Sequence, residues 1–245
     1  MAAPILHIID DESKLIKSLT ELILSKQNDA VSEKRKFSIG VSGGSVAKYL
    51  SQGLPELGTQ LNYDEWRVYF CDERHVPFTD SECTYKYYKE NLMSKAPLSD
   101  EHVFKIDPSV SVEEAAVDYE KKLRQTFPGE GLPQFDVLVL GMGPDGHTCS
   151  LFPGHPLLEE KTKPIAAISD SPKPPPGRVT MTYPLLNNAR CVIFVACGES
   201  KAQNLKRVLE GNDLFPLPAG RVRPTDGDVH WFLDSGAAKL LDRRE

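Results

Sequence analysis

Apolar positions Leu15, Ile16, Leu19, Leu22 and Ile23 recur at helical spacing behind the acidic run Asp10-Asp11-Glu12. Acidic residues suit the positive end of a helix, so the pattern predicts an amphipathic helix over roughly 11–30. The period then changes. Phe37–Ser42 reads as a buried strand, and Gly43-Gly44-Ser45 leads into a short helix through Ala47 and Leu50. The same succession of apolar strand, polar loop and helix recurs at Trp66–Cys71, Phe135–Leu140 and Cys191–Ala196. Repetition of that unit predicts an α/β fold with a mostly parallel sheet. Between the units, Ser111 and Glu114 have the spacing of a capping box, which predicts a helix running to about Phe127, where Phe127–Pro133 breaks it. Arg178–Tyr183 and Val229–Leu233 read as strands, and Ala237, Ala238, Leu240 and Leu241 as a closing helix. The Phe127–Pro133 break is too short and too stiff for a linker, so residues 1–245 are expected to form one domain.

Composition narrows the partners. The chain has 245 residues, 29 Lys+Arg against 35 Asp+Glu, and a formal net charge of −6. No basic run exceeds Lys34-Arg35-Lys36, which argues against nucleic acid as a partner. A small anion is a different matter, because a few cations focused in a cleft suffice to hold one phosphate. The five cysteines (Cys71, Cys83, Cys149, Cys191, Cys197) contain no C-x-x-C pair, so neither a disulfide framework nor a zinc site is expected. The run Ile5–Ile9 meets Asp10 before a secretory apolar region could form, and Cys191–Cys197 is far too short to cross a bilayer. A cytoplasmic protein without a membrane partner is expected. The oligomeric state is left open, with a monomer favoured.

Three polar clusters follow predicted strands, at the edge where open α/β sheets bind ligands. Ser42-Gly43-Gly44-Ser45 has glycines that admit an anion close to the backbone, with hydroxyls and helix N–H groups to complete its hydrogen bonds. The same residues fit a tight turn with a serine cap. Gly40–Gly44 also fits G-x-S-x-G, the nucleophile elbow of serine hydrolases, although only one strand precedes it. The loop 141–155 can present Asp145 beside His147, a carboxylate next to the side chain best suited to take a proton near neutrality. With His155 these residues also raise a metal, but there is no H-E-x-x-H pattern to support one. In the third cluster, Cys71–Pro77, Arg74 is suited to bidentate anion binding, and Asp72 to holding it or touching sugar hydroxyls. Arg178 and Lys201 are two further cations at strand ends. The stretch Ser171–Gly177 contains P-x-x-P and reads as a stiff loop, with an SH3-type ligand as the other reading.

Taken together, Val41–Ser45, Cys71–Pro77, Gly141–Gly154, Ser171–Pro176 with Arg178-Val179-Thr180, and Gly198–Lys201 resemble the 6-phosphogluconolactonase family in order and spacing over almost the whole chain. The most specific element is D-G-H-T-x-S-L-F-P-G at Asp145–Gly154. In the related glucosamine-6-phosphate deaminases the D-G-H step leads into a phenylalanine-asparagine-glutamate-proline run, where this chain has Ser150-Leu151-Phe152-Pro153. The resemblance implies a Rossmann-like three-layer sandwich and hydrolysis of a sugar-phosphate lactone without a cofactor or metal. On that reading Ser42, Gly43, Gly44, Ser45, Arg178 and Lys201 hold the phosphate, and His147 with Asp145 activates water. Arg74, or a backbone N–H of the Gly143–Gly146 loop, stabilises the oxyanion, and Asp72 holds Arg74 or touches sugar hydroxyls. The separate parts of Lys173, Arg178 and Lys201 stay open. So do an amino-sugar-phosphate isomerase or deaminase and a non-catalytic sugar-phosphate-binding module.

Overall fold

In the computed structural model, which describes residues 3–33 and 35–242, the first helix begins where the acidic run places it. Of the expected 1–245 unit, residues 1–2, Lys34 and residues 243–245 lie outside the described residues. Helix α1 (Glu12–Ser32) is capped by Asp11, whose carboxylate accepts the Lys14 N–H at 2.9 Å, and it buries Leu15, Ile16, Leu19 and Ile23. The strands in chain order are β1 (Ile5–Ile8), β2 (Phe37–Val41), β3 (Trp66–Phe70), β4 (Asp72–Arg74), β5 (Val103–Phe104), β6 (Val137–Gly141), β7 (Ile165–Ile168), β8 (Arg178–Met181), β9 (Cys191–Ala196) and β10 (Asp228–Leu233). The remaining helices are α2 (Ser45–Glu56), α3 (Thr84–Tyr88), α4 (Val112–Thr126), α5 (Tyr183–Leu186), α6 (Ala202–Glu210) and α7 (Ser235–Ala238). Helix α4 carries the predicted capping box, with Ser111 and Glu114 bonded reciprocally.

Seven strands form one parallel sheet in the order β1-β10-β9-β6-β2-β3-β5. Helices cover both faces, so the central strands read as unbroken apolar runs. Val137, Val139, Ile193 and Val195 join one core layer with α1 and α2. Leu138, Leu140, Val192 and Phe194 join the other with α4 and α6. The result is a three-layer α/β sandwich. Strand β2 has a glycine at its middle because a Cβ at Gly40 would meet Leu138 Cδ2 at 2.5 Å and Cys71 Sγ at 2.9 Å.

Several elements differ from the expectation. The strand expected over Arg178–Tyr183 ends at Met181 and lies outside the parallel sheet. It is the centre of a second, antiparallel sheet, β4-β8-β7. Strand β4 begins one residue after Cys71, where the chain leaves β3 and crosses to the second sheet. Strand β6 starts at Val137 because Asp136 is occupied by the Ser38 N–H (2.9 Å) and hydroxyl (2.7 Å). The closing helix is a single turn, Ser235–Ala238, capped by Asp234. Among the described residues no helix is long and apolar enough to cross a membrane.

From β2 the chain steps outward to β3 and β5, then returns to build β6, β9 and β10 on the other side. The strand order therefore reverses between β2 and β6. Diverging loops at such a reversal open a crevice at the carboxyl ends of the strands.

Candidate active site

A cleft of about 280 Å³ lies at that crevice, lined by Ser42–Ser45, Asp72, Arg74, Gly141–Pro144, His147, Cys149, Arg178 and Lys201. Four adjacent strands supply it: β9 leads to Lys201, β6 to the 142–147 loop, β2 to Ser42–Ser45, and β3 to β4 with Asp72 and Arg74. Ser42–Ser45, Asp72, Arg74, His147, Arg178 and Lys201 all line this one cleft, and Asp145 is bonded to His147, which does.

The glycine-serine turn ends in Gly44, whose φ of +64° is a left-handed conformation open to glycine at little cost. Gly44 is the N-cap of α2 and gives it no side-chain cap, so the first N–H groups of the helix are without the usual serine or aspartate partner. The hydroxyl of Ser42 is buried and, among the described residues, has no hydrogen-bond partner. An unsatisfied buried hydroxyl costs about 1–3 kcal/mol, which marks it as a group shaped for a ligand rather than for the fold. It also has no histidine within hydrogen-bond reach, so the nucleophile elbow suggested by G-x-S-x-G lacks its base.

His147 Nδ1 lies 2.5 Å from Asp145 Oδ1. A bare nitrogen lone pair facing a carboxylate at that distance would be repelled, so the network assigns the proton to Nδ1, donated to Asp145. Nε2 is then the basic nitrogen, and among the described residues it has no partner. Burial lowers the histidine's affinity for a proton and Lys173 adds to this, while Asp145 and Asp72 oppose; the net position is below the usual 6.5. Burial likewise works against ionisation of Asp145, but the bonds and charges of His147 and Lys173 outweigh it and hold the carboxylate at about 2. The pair needs the glycine before it. A Cβ at Gly143 would stand 2.0 Å from His147 Nδ1 and 2.6 Å from Asp145 Oδ1.

On the second sheet, β4 and β8 pair so that Arg74 stands directly opposite Arg178. Asp72 accepts the Ser150 hydroxyl at 2.8 Å and lies 3.9 Å from Arg178 Nη1. Of the two roles considered for Asp72, holding Arg74 is not seen among the described residues. Arg74 Nη1 donates to the Glu82 carbonyl at 2.8 Å and approaches its carboxylate at 3.5 Å. Arg178 is buried and spends Nε and Nη2 on the carbonyls of Lys173, Pro174 and Pro175 at 3.0–3.1 Å. Lys201 Nζ donates to the Met142 carbonyl at 2.5 Å, and burial lowers its pKa, with Lys173 contributing.

The loop amides narrow the oxyanion alternatives. The Gly143 N–H is bonded to the His147 carbonyl and the Gly146 N–H to the Gly143 carbonyl, both at 2.9 Å, and Pro144 has none. His155 stands apart: its Nδ1 accepts the Leu157 N–H and its Nε2 meets Asp170 at 3.0 Å, so it does not join His147. Among the described residues no group of three or more His, Cys, Asp or Glu side chains could hold a metal. The sequence did not single out Ser150, Glu82 or the contacts of Lys173. The proline-rich setting of Lys173 and the place of Ser150 in the Asp145–Gly154 element were the available signals.

The lining thus sets three cations, Arg74, Arg178 and Lys201, against one carboxylate, Asp72, in a chain whose net charge is −6. Such a cleft concentrates a small anion beside a histidine poised to accept a proton.

The chain belongs to the family described as glucosamine-6-phosphate isomerases/6-phosphogluconolactonase, whose model matches residues 10–231. It is 49% identical to the 6-phosphogluconolactonases of Bos taurus and Homo sapiens, over 98% of this chain and 96% of each relative. Among solved structures, 6-phosphogluconolactonase from Trypanosoma cruzi superposes with a TM-score of 0.86 at 26% identity, covering 98% of this chain and 97% of that one. A monomeric glucosamine-6-phosphate deaminase has the same fold, with a TM-score of 0.78 at 19% identity over 97% of this chain and all of the other.

Proposed function

We propose that this protein hydrolyses 6-phospho-D-glucono-1,5-lactone to 6-phospho-D-gluconate, the second step of the oxidative pentose phosphate pathway, in the cytoplasm and as a monomer of one domain. One observation carries the reading: His147, tied through Nδ1 to Asp145, shares its cleft with a cation-flanked glycine-serine turn.

The 6-phosphate binds at Ser42, Gly43, Gly44 and Ser45, with Arg178 and Lys201 as counter-charges. Its binding energy fixes the ring by the end remote from the reacting carbonyl. His147 Nε2 takes a proton from a water attacking C1, and Asp145 stabilises the imidazolium that forms. Arg74 stabilises the negative charge on the carbonyl oxygen; of the loop amides, Gly143 and Gly146 already use theirs, which leaves the Asp145 N–H as the other donor. Collapse of the tetrahedral intermediate breaks the bond from C1 to the ring oxygen, and the imidazolium returns its proton to that oxygen. Water and lactone become one hydroxy acid, and no electrons change hands. Asp72, held by Ser150, faces the ring hydroxyls and Arg178. No step calls for a cofactor.

An isomerase or deaminase needs further acid and base groups for ring opening and proton transfer at C2. Apart from His147, the titratable groups lining this cleft are Asp72, the Cys149 thiol and the three cations. Pure protein incubated with the lactone in a pH-stat, against the spontaneous rate, should release acid. With glucosamine 6-phosphate it should release no ammonia. Ammonia without acid release would reverse the assignment, and neither would leave a binding module.

A further inference from the structure

We propose that Lys173 is a positioning residue for the base: its ammonium clamps Asp145 and, standing against Nδ1, keeps the His147 imidazole neutral and ready to accept a proton. The inference rests on the reading of His147 as base. Lys173 Nζ lies 3.1 Å from Asp145 Oδ2, 3.2 Å from Oδ1 and 3.0 Å from His147 Nδ1. With the Nδ1 proton directed at Asp145, the ammonium bonds to the carboxylate and meets the imidazole as a neighbouring charge.

The side chain is delivered from a braced backbone. Ser171 Oγ donates to the Lys173 carbonyl at 2.8 Å and accepts the Lys173 N–H at 3.2 Å. Arg178 Nη2 donates to the same carbonyl at 3.1 Å. The two following residues are prolines, so the main chain at Lys173 has little freedom to withdraw. The ammonium also lies 6.0 Å from the Phe152 ring centre, and that ring packs against His147 with centres 4.9 Å apart.

The charges around the imidazole explain why a cation is needed there. Asp145 from its own loop and Asp72 from β4 both favour the imidazolium. Burial disfavours the imidazolium, but the two carboxylates work against it, and with no adjacent cation they would make the ring easier to protonate. Lys173 opposes them at contact distance, and Arg178 and Lys201, lining the same cleft, add positive charge at its rim. Lysine suits the task because it supplies a compact charge at the end of a long apolar stem.

The test replaces the charge and keeps the stem, in Lys173→Met, with Lys173→Arg as the conservative variant. Loss of a neighbouring cation makes the imidazolium easier to form. The acid limb of kcat should therefore move up by about one pH unit, less if solvent screens the half-exposed ammonium. Near pH 6 this is a loss of up to about tenfold in kcat beyond any loss on the alkaline plateau, with KM within a few-fold and Lys173→Arg close to wild type. In parallel, the His147 Cε1–H resonance, assigned by its absence in His147→Asn, is titrated by NMR without substrate. A matching upward shift supports the inference. A shift in the NMR titration that the kinetics do not follow upholds Lys173 and removes His147 as the base. An unmoved resonance in a Lys173→Met protein that is folded by circular dichroism overturns the inference, as does failure of Lys173→Arg to restore the wild-type titration.

Discussion

Gly143→Ala is the smallest change that should disable the site, and its size follows from the geometry. The added methyl would sit 2.0 Å from His147 Nδ1, 2.1 Å from Cε1 and 2.6 Å from Asp145 Oδ1. A relaxed contact needs about 3.5 Å, so the imidazole must recede by roughly 1.5 Å or the loop must open. Misplacing a catalytic group by about 1 Å costs on the order of 10²-fold, and losing a general base altogether up to about 10⁴-fold. The expected kcat therefore falls by about 10²-fold or more. KM should stay within a few-fold, because the glycine-serine turn and Lys201 come from other strands. Overpacking of this kind costs about 1–3 kcal/mol, which lowers Tm by several degrees in a chain of this length and leaves the fold intact at assay temperature. Gly44→Ala is the contrast: its methyl meets nothing within 4 Å, and the strain at φ +64° falls on the phosphate turn, so its effect belongs in KM. Initial rates with the lactone, corrected for spontaneous opening, and a melt followed by circular dichroism decide the matter. A folded Gly143→Ala enzyme with kcat within about threefold of wild type would refute the claim that the fixed His147–Asp145 geometry drives the reaction.

Ser42→Ala deletes a buried hydroxyl that has no partner among the described residues. It should leave the melting temperature unchanged or slightly raised and increase KM by about fivefold, whereas a covalent acyl-enzyme trapped on Ser42 would make it a nucleophile after all. Lys201→Ala should weaken the phosphorylated lactone by roughly 10- to 100-fold and barely affect unphosphorylated gluconolactone; equal losses on both would remove Lys201 from the phosphate site. Wild-type kcat should fall as pH drops through a value below 6.5, since burial depresses the His147 pKa and the neutral ring is the active form. His147→Asn should abolish that limb and lower kcat by about 10²–10⁴-fold, and an unchanged limb in the variant would assign the titration to another group.

The parallel sheet was legible because its central strands are buried on both faces and so carry unbroken apolar runs, as at Val137–Leu140 and Cys191–Ala196. The second sheet was not. Strand β4 is Asp72-Glu73-Arg74, three charged residues that read as a solvated turn, yet Glu73 is 1% exposed. Its carboxylate accepts the N–H groups of Arg74, Thr84 and Tyr85, each at 2.8 Å, a solution that no local pattern announces. The helix signature at Ser111-x-x-Glu114 could be read because both partners lie within one turn. Ser150 on Asp72 and Lys173 on Asp145 could not, because those contacts exist only once loops from different strands converge.

The same distinction separates what the site contains from how it works. Arg74 and Arg178 could each be marked as a cation near a strand end, but only the β4–β8 register sets them face to face. Like charges directly opposite on a sheet repel, and folding must hold them there against that cost. Arg178 is restrained by the neutral carbonyls of Lys173, Pro174 and Pro175, and Arg74 by the Glu82 carbonyl together with the Glu82 carboxylate at 3.5 Å. Carbonyls orient a guanidinium without cancelling its charge, and Asp72, 3.9 Å from Arg178, neutralises only part of it. A pair meant only to hold the second sheet together would be better served by one arginine and one carboxylate. Three cations, Arg74, Arg178 and Lys201, against the single lining carboxylate Asp72 instead keep positive potential in the cleft beside the turn Ser42–Ser45. That potential is what a phosphorylated substrate, and the oxyanion formed at its far end, would both meet.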